Sequence, residues 1–254
     1  MNAGELKEIA KKLVAGEKNA ALTGAGVSTE SGIPHFRSSG GLWEKFDPME
    51  YATIDAFQRH PERVWEMIKE MNALLESAEP NPAHTGLARL EELGVLSGII
   101  TQNIDNLHQE GGSKNVVEFH GNGRRLVCLE CNASQDAEQA RARWEEEFPP
   151  RCPACKTILK PDVVFFGEAI PPEALRDASE LSCSCAVMLV AGTSATVAPA
   201  SSLPLLARAS GADLVEVNLE PTPLTPSTAI SLRGRTGEVL PALADAIAER
   251  LAGQ

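Results

Sequence analysis

The chain has 254 residues, of which 43% are hydrophobic and 23% are charged, proportions typical of a soluble globular enzyme. Its net charge of -12 at pH 7 argues against nucleic acid as a ligand and suits a cationic partner such as a lysine-rich protein segment, although solubility alone would also explain it. The polar first residues and the lack of a long apolar run argue against a secretory signal and a membrane span, so we expect a cytoplasmic protein, with a monomer as the working hypothesis.

Hydrophobic spacing predicts helices that alternate with short buried strands. Apolar residues from Leu6 to Val14 recur at helical spacing, and the run 19–22 predicts the first strand. Further strands are predicted at 95–101, 116–119, 126–127, 163–166, 186–191 and 214–217, and further helices at 61–78, 84–93, 135–147, 172–182, 199–209 and 238–251. Strands joined by helical crossovers form parallel sheets, so the fold class is α/β, with a doubly wound, Rossmann-like sheet and two insertions.

A glycine-rich turn, Gly-Ala-Gly at residues 24–26, follows the first predicted strand. Glycines let the backbone approach a ligand, and a helix that starts after such a turn offers N–H groups to a pyrophosphate, to which Ser28, Thr29 and Ser31 can add hydroxyl donors. The dehydrogenase fingerprint does not fit, because Thr29 stands where Gly or Ala would be needed. A turn without a ligand is the alternative, but Phe36 and Arg37, which follow a proline beside this turn, favour an anion site.

Polar residues follow two other predicted strands, at the edge where open α/β sheets bind their ligands. Asn103 and Asp105 could bind a primary carboxamide, the carboxylate accepting from the NH2 group; an Asx turn that caps the next helix is the alternative. His120 ends the strand at 116–119 and is a candidate general base, although a lone histidine is more often structural.

The last two predicted strands end in similar polar segments. Gly-Thr-Ser at 192–194 follows one of them, and Asn218 and Glu220 follow the other. Their N–H, hydroxyl and amide groups could bind phosphate or ribose hydroxyls. Ordinary capping of a helix by Thr193 or Ser194 is the alternative.

Four of the six cysteines form two C-x-x-C pairs, Cys128 with Cys131 and Cys152 with Cys155, separated by 20 residues. Two such pairs can surround one tetrahedral zinc ion with four thiolates. A closed site of this kind leaves no position for substrate, so we expect the zinc to be structural; two unrelated redox or buried pairs are the alternative. The other two cysteines are expected to be core residues.

In this order, the motifs resemble the sirtuins, a family of NAD-dependent protein-lysine deacylases, over nearly the whole chain. The likeness depends on residues 24–34, 101–105, 118–121, 161–168, 192–194 and 218–220, on Phe36, Arg37, Leu107, His108, Gly112 and Ser113, and on the paired cysteines. Within the family, the sequence looks most like the undifferentiated bacterial branch. The resemblance implies an enzyme that uses NAD as co-substrate and converts an acyl-lysine protein or peptide to free lysine, nicotinamide and O-acyl-ADP-ribose.

The resemblance also implies site residues and domains. His120 would be the general base, and Phe36 would cover the reacting ribose. NAD would be lined by Gly24, Ala25, Gly26, Phe36, Arg37, Gln102, Asn103, Ile104, Asp105, Gly192, Thr193, Ser194, Asn218 and Glu220, and the acyl-lysine peptide would be gripped by Val164, Phe166, Gly167, Glu168 and Val197. The implied domains are a Rossmann-like NAD-binding domain (1–37, 83–124 and 159–254), a cofactor loop with a helical insertion (38–82), and a structural module with one zinc ion (125–158).

The sequence departs from the sirtuin pattern at three places. His35 stands where many members have Asp, and we assign it no role. Asn106 replaces a glycine, which adjusts a turn at most, because Asn tolerates the left-handed conformation. The Tyr and Arg of the desuccinylating branch are Ile68 and Met71 here, so a buried succinyl carboxylate would lack a cation, and we expect acetyl or longer apolar acyl groups to be preferred over succinyl.

Two other functions stay open at this stage. A mono-ADP-ribosyltransferase would use the same NAD site but transfer the ribose to a protein side chain. A non-catalytic NAD-sensing module would need neither His120 nor a complete set of carboxamide residues, so the presence of both argues against it.

Overall fold

A computed structural model describes residues 3–34, 42–144 and 146–253. Its strands are β1 (Asn19–Thr23), β2 (Gly98–Thr101), β3 (Val116–Glu118), β4 (Gly121–Val127), β5 (Ser134–Asp136), β6 (Lys160–Val163), β7 (Val187–Ala191), β8 (Asp213–Asn218) and β9 (Ile230–Arg233). Its α-helices are α1 (Ala3–Ala15), α2 (Leu42–Lys45), α3 (Pro48–Tyr51), α4 (Ile54–Arg59), α5 (Pro61–Ser77), α6 (Pro82–Glu92), α7 (Leu107–Glu110), α8 (Ala137–Arg141), α9 (Pro172–Ser184), α10 (Leu203–Ala209) and α11 (Thr236–Ala252).

Six strands form a parallel sheet in the order β3-β2-β1-β7-β8-β9. Successive side chains of a strand point to opposite faces, and here both faces are covered by helices. In β1, Ala21 packs with α1, α6 and α11, whereas Leu22 packs with α9 and α10. The predicted doubly wound sheet is therefore confirmed.

The second sheet is small and antiparallel, in the order β5-β4-β6. Only Phe119 and His120 separate β3 of the large sheet from β4 of the small one. Gly121 allows this passage, because it has φ +81° and a Cβ there would lie 2.0 Å from the carbonyl oxygen of Asp162. Helix α5 packs on the small sheet through Trp65, whose indole N–H donates to the carbonyl of Leu159 at 2.9 Å.

Several predicted boundaries were wrong. The predicted strand at 163–166 is β6, which lies three residues earlier and pairs with β4 instead of joining the large sheet. Residues 95–97 precede β2, because the N–H groups of Val95 and Leu96 both donate to the carbonyl of Leu90 and close the end of α6. The predicted helix at 135–147 is only α8, because residues 134–136 pair with β4 and the side chain of Asp136 caps Gln139 N.

Other differences are smaller. The predicted helix at 199–209 begins with the 3-10 turn Ala200–Ser202, and α10 follows it. The edge strand β9 was missed, because it has only four residues, of which only Leu232 is fully buried, and this gives a weak signal. Cys185 is buried as expected, but Cys183 is exposed and was wrongly assigned to the core.

In the part of the chain that the structure covers, no helix combines the length and apolar character needed to cross a membrane.

Candidate functional site

The carboxyl ends of the parallel strands meet in one row. Thr23 of β1 pairs with Thr101 of β2 and with Ala191 of β7, and Thr101 pairs with Glu118 of β3. Strands β2 and β3 extend the sheet to one side of β1, and β7, β8 and β9 extend it to the other. In open α/β sheets, such a reversal of strand order forms a crevice that binds ligands, especially dinucleotides. The segments that follow these strands therefore surround one candidate site.

The turns after β1 and β7 pack against each other through their backbones. The N–H of Gly26 donates to the carbonyl of Gly192 at 2.7 Å, and a Cβ on Gly26 would lie 2.7 Å from Gly192 Cα. Glycine is thus needed here for close packing of the two turns, as well as for the expected approach to a ligand. The chain continues in two 3-10 turns, Ala25–Val27 and Thr29–Ser31, where the sequence predicted the start of a helix.

Gln102 connects three of these strand ends. Its side-chain amide donates to the carbonyl of Thr23 and to Oγ1 of Thr193, both at 3.0 Å. Its own carbonyl lies 3.0 Å from Nδ1 of His120. A carbonyl can only accept, so Nδ1 carries the proton and Nε2 of the neutral ring is left as a proton acceptor. Burial lowers the pKa of His120, which favours the neutral ring near pH 7 and leaves Nε2 free to accept a proton.

Asn103 and Asp105 are joined through Ser28. The hydroxyl of Ser28 donates to Oδ2 of Asp105 at 2.6 Å and accepts from Nδ2 of Asn103 at 3.0 Å. The other oxygen of Asp105 accepts from the N–H of Leu107 at 3.0 Å, so the alternative of an Asx turn before α7 is also realised. Ile104 between them is half-buried and packs against the apolar cluster of α5. Hydrogen bonds thus hold the side chains of Asn103 and Asp105 in place, and the apolar Ile104 lies between them in the sequence.

His84 lies directly behind this pair, at the start of α6. Its Nδ1 accepts from the N–H of Asn81 in a capping box, at 3.1 Å, so Nε2 carries the proton and faces the Ser28 hydroxyl at 3.3 Å. Burial lowers the pKa of His84 to about 4, against the opposing charge of Asp105. A neutral His84 therefore orients Ser28, and Ser28 orients Asp105.

His108 lies beside His84, their ring centroids 5.0 Å apart. Nε2 of His108 lies 2.9 Å from Oγ1 of Thr23, and that hydroxyl donates to Oγ1 of Thr101. Nδ1 of His108 is buried and has no hydrogen-bond partner among the described residues. Burial, and to a lesser degree His84, lowers the pKa of His108 to about 3. Both histidines are thus held neutral beneath the crevice.

Asn218 and Glu220 lie at the end of β8. Nδ2 of Asn218 donates to the carbonyl of Thr193 at 2.7 Å, which ties β8 to the turn after β7. Arg233 donates to the carbonyl of Glu220 at 2.8 Å and to the buried carboxylate of Glu216 at 2.9 Å. Burial alone would raise the pKa of Glu216, but its hydrogen bonds to Thr222, Thr225, Ser231 and Arg233 outweigh burial and lower it. This buried carboxylate fixes the loop that contains Glu220.

The predicted peptide-binding residues after β6 lie beside His120. The N–H of Val164 donates to the carbonyl of His120 at 2.9 Å. Phe166 exchanges two backbone hydrogen bonds with Ala52 and Ile54 at the start of α4, and its side chain remains 43% exposed. Val197 is half-buried in the segment that follows β7. This segment is therefore attached to the backbone of the candidate base through Val164, and Phe166, two residues further on, is open to solvent.

The four paired cysteines form a single cluster. Their sulfur atoms all lie within 4.8 Å of one another, and the closest pair, in Cys128 and Cys155, are 3.3 Å apart. Four thiolates at about 2.3 Å from a zinc ion lie about 3.8 Å from one another, so the observed separations fit one tetrahedral ion. Each pair ends in a residue with positive φ, Asn132 or Lys156, whose N–H donates back to the first cysteine. The cysteines are therefore positioned to bind one zinc ion, as the spacing predicted.

Residues 24–199 match the model of the Sir2 family. The chain belongs to the Sir2 family. The NAD-dependent protein deacylase of Pyrococcus furiosus is 46% identical over 95% of this chain and 98% of its own length. Among solved structures, a mutant Sir2 homologue bound to ADP-ribose has a TM-score of 0.91 at 41% identity, covering 100% of this chain and 99% of that one. A Sir2 complex with a p53 peptide and NAD+ has a TM-score of 0.86 at 38% identity, covering 98% and 99%.

The expected position within the Sir2 family was not supported. The relatives of this chain include proteins of Pyrococcus, Pyrobaculum, Thermococcus and Archaeoglobus, which are archaea. The motifs quoted for the resemblance identify the family but do not by themselves distinguish its branches.

The structure brings most of the predicted site residues of this Sir2 chain to one crevice. Phe36 and Arg37, and His35 with them, lie outside the described residues. Asn106 has φ +67°, which agrees with its expected tolerance of the left-handed conformation. Ser28 was noted only as a possible donor, and His84 and His108 were given no role. An Asn-x-x-His pattern at the start of a predicted helix, at residues 81–84, is a capping signal that could have located His84.

The neutral state of His108 predicts a pH-dependent stability. The unfolded chain binds a proton near pH 6.5, whereas folded His108 binds it near pH 3, so its contribution is complete above pH 6.5 and is lost as the pH falls towards 3. Across this window the loss is about 1.4 kcal/mol per pH unit. The variant His108→Gln keeps a donor for Thr23 and should lower this slope by about that amount in urea unfolding between pH 6 and 4. The exposed His60→Gln is the control; a slope unchanged in His108→Gln would contradict the prediction.

Proposed function

We propose that this Sir2-family chain is an NAD-dependent protein-lysine deacylase. The observation that supports it most directly is the crevice where the strand order reverses, with His120 and the Asn103–Ser28–Asp105 group on its walls. Relatives with near full-length coverage are named NAD-dependent protein deacylases. The products would be nicotinamide, O-acyl-ADP-ribose and a free lysine side chain.

The residue roles in this proposal are those that the resemblance to the sirtuins implies, and the positions of the described residues around the crevice support them. Residues 24–26, Phe36, Arg37, Gln102, residues 192–194, Asn218 and Glu220 hold NAD, and Asn103, Ile104 and Asp105 hold its carboxamide. When bound, NAD supplies the glycosidic bond that is cleaved and the ribose that accepts the acyl group. His120 accepts a proton at Nε2, because its Nδ1–H is committed to the carbonyl of Gln102.

We propose that the acyl-lysine segment binds along Val164, Phe166, Gly167, Glu168 and Val197. This surface adjoins His120 through the hydrogen bond from Val164 N, so a lysine side chain that passes it can reach the crevice. Solved Sir2 structures contain a p53 peptide, which supports an extended peptide as the ligand.

We also propose a role for each part of the chain. Residues 1–37, 83–124 and 159–254 bind NAD, residues 38–82 cover the cofactor, and residues 125–158 bind zinc. We further propose that the enzyme is a cytoplasmic monomer.

Product analysis tests the proposed reaction. The enzyme is incubated with NAD and a panel of acylated peptides, and the products are identified by mass. Acyl-peptide-dependent release of nicotinamide together with O-acyl-ADP-ribose supports deacylation. A protein or peptide that gains the mass of ADP-ribose supports a mono-ADP-ribosyltransferase instead, and the lack of any reaction of NAD contradicts both.

We expect acetylated peptides to be turned over faster than succinylated ones. Ile68 and Met71 are buried in the same apolar cluster as Phe57 and Phe165, so α5 offers no cation at these two positions. A succinyl carboxylate placed there would lose its hydration without gaining a partner, which should lower kcat/KM by roughly tenfold or more. The measurement compares kcat/KM for acetylated and succinylated forms of one peptide, with a butyrylated form as an apolar control. Faster turnover of the succinylated form would contradict the expectation.

A further inference from the structure

Lys160, the first residue of β6, is a buried lysine with a complete set of acceptors. Its relative exposure is 2%. Nζ donates to the carbonyl of Val163 at 2.6 Å, to the carbonyl of Pro161 at 3.1 Å and to Oε2 of Glu168 at 3.1 Å. An ammonium group has three N–H donors, so each has a partner. Nζ also lies 4.7 Å from the ring centroid of Phe165.

A buried ammonium is costly unless every donor is satisfied and an anion lies close by. Burial lowers the pKa of Lys160, and the charge of Glu168 opposes this effect. A methionine of similar length would fill the same space without that cost. The polar arrangement must therefore be explained by what it holds in place, since packing alone does not require it.

The hydrogen-bond partners of the Lys160 ammonium group all lie on one stretch of chain, residues 161–168. Oε2 of Glu168 also accepts from the N–H of Phe165 at 2.9 Å, so one carboxylate oxygen joins Lys160 to the middle of this stretch. The same stretch is bonded to His120 through Val164 N and to Ala52 and Ile54 through Phe166. Lys160 and Glu168 thus fold the segment against β6, while Phe166 remains exposed at its surface.

We propose that Lys160 is a positioning residue for acyl-lysine recognition, acting through Glu168 to hold residues 164–167 in the conformation that receives the peptide. This inference depends on the proposed function, because it assigns the peptide to this segment. It also changes the role of Glu168. Because Oε2 accepts hydrogen bonds from Lys160 and Phe165, the main role of Glu168 is to hold the segment in place, and its contact with the peptide is secondary.

The experiment compares the wild-type enzyme with K160M, E168Q and K160M/E168Q. Nicotinamide release is measured against an acetylated peptide at saturating NAD, and against NAD at saturating peptide. We expect K160M to raise KM for the peptide roughly tenfold, because hydrogen bonds to a charged group are lost, with KM for NAD unchanged within about twofold. E168Q keeps an acceptor oxygen, so it should raise peptide KM less. The double variant should be no worse than K160M, because the two residues act as a unit.

K7M, which makes the same change at an exposed lysine of α1, is the control and should leave all constants unchanged. A peptide KM unaffected in K160M would overturn the inference, as would an equal rise in both KM values, which indicates a general loss of structure. If K160M fails to fold, K160Q, which keeps an N–H donor but loses the charge, is judged by the same criterion. Wild-type enzyme that releases no nicotinamide with any acyl-peptide would instead contradict the proposed function, so the two failures are distinguishable.

Discussion

His120→Ala should form free lysine from an acetylated peptide roughly 10²- to 10⁴-fold more slowly than the wild-type enzyme, the range typical of a lost general base. The affinity for NAD should change little, because the atom of His120 that faces the protein bonds the carbonyl of Gln102, and the Gln102 side chain is held independently by Thr23 and Thr193. Stopped assays with mass detection give the rate, and calorimetric titration gives the affinity.

The matched control is His60→Ala, the same change at an exposed histidine whose side chain does not cap α5. The wild-type rate should rise with pH as His120 loses its proton. Because burial lowers the pKa of His120 from the ordinary value of 6.5, this rise should be centred below pH 6.5. A His120→Ala enzyme with full turnover, or a wild-type rate that still rises steeply above pH 7.5, would contradict the role of general base.

Loss of the zinc ligands should unfold the cysteine module. Cys131→Ser removes one thiolate of four but leaves the core intact, because Cys131 is exposed. Structural zinc commonly contributes on the order of 10 kcal/mol, so the variant should lose its metal and melt at a markedly lower temperature. Metal content is measured by atomic emission and melting by circular dichroism.

Cys183→Ser is the matched control for the zinc prediction, since Cys183 is an exposed, free cysteine outside the cluster. It should retain one zinc ion per chain and the wild-type melting temperature. Treatment of the wild-type enzyme with a strong chelator should reproduce the Cys131→Ser phenotype. A Cys131→Ser protein that keeps its zinc, or melts like wild type without it, would exclude the proposed structural role.

The large sheet apart from its edge strand β9 could be predicted from the sequence, because these strands are largely apolar runs between helix signals. The runs that become β1, β7 and β8 are buried on both faces, and such runs are the clearest signal of a parallel sheet. The apolar run at 163–166 has the same appearance, yet β6 belongs to the small sheet. Its partner is decided by hydrogen bonds to β4, which no local pattern encodes.

The candidate site could be predicted where the residue type and its spacing alone indicate the chemistry. Cysteine pairs at a fixed spacing determine a zinc site, and Asn103, Asp105 and His120 lie at strand ends, which the topology brings together. The residues that were missed act through partners distant in sequence. Ser28 and His84 are 56 residues apart, so their contact depends on the packing of α6 beneath the crevice.

Because β3 and β4 are separated by only two residues, the imidazole of His120 lies at the joint of two sheets with different tasks. The carbonyl of Gln102, which follows β2 of the large sheet, holds the imidazole. The N–H of Val164, in the chain that leaves the small sheet, holds the backbone carbonyl of His120. A displacement of one sheet relative to the other would therefore move the imidazole and misalign the proton transfer proposed for it. Adaptation of this enzyme to a new working temperature should therefore change residues at the contact between the two sheets and preserve the residues that touch its substrates.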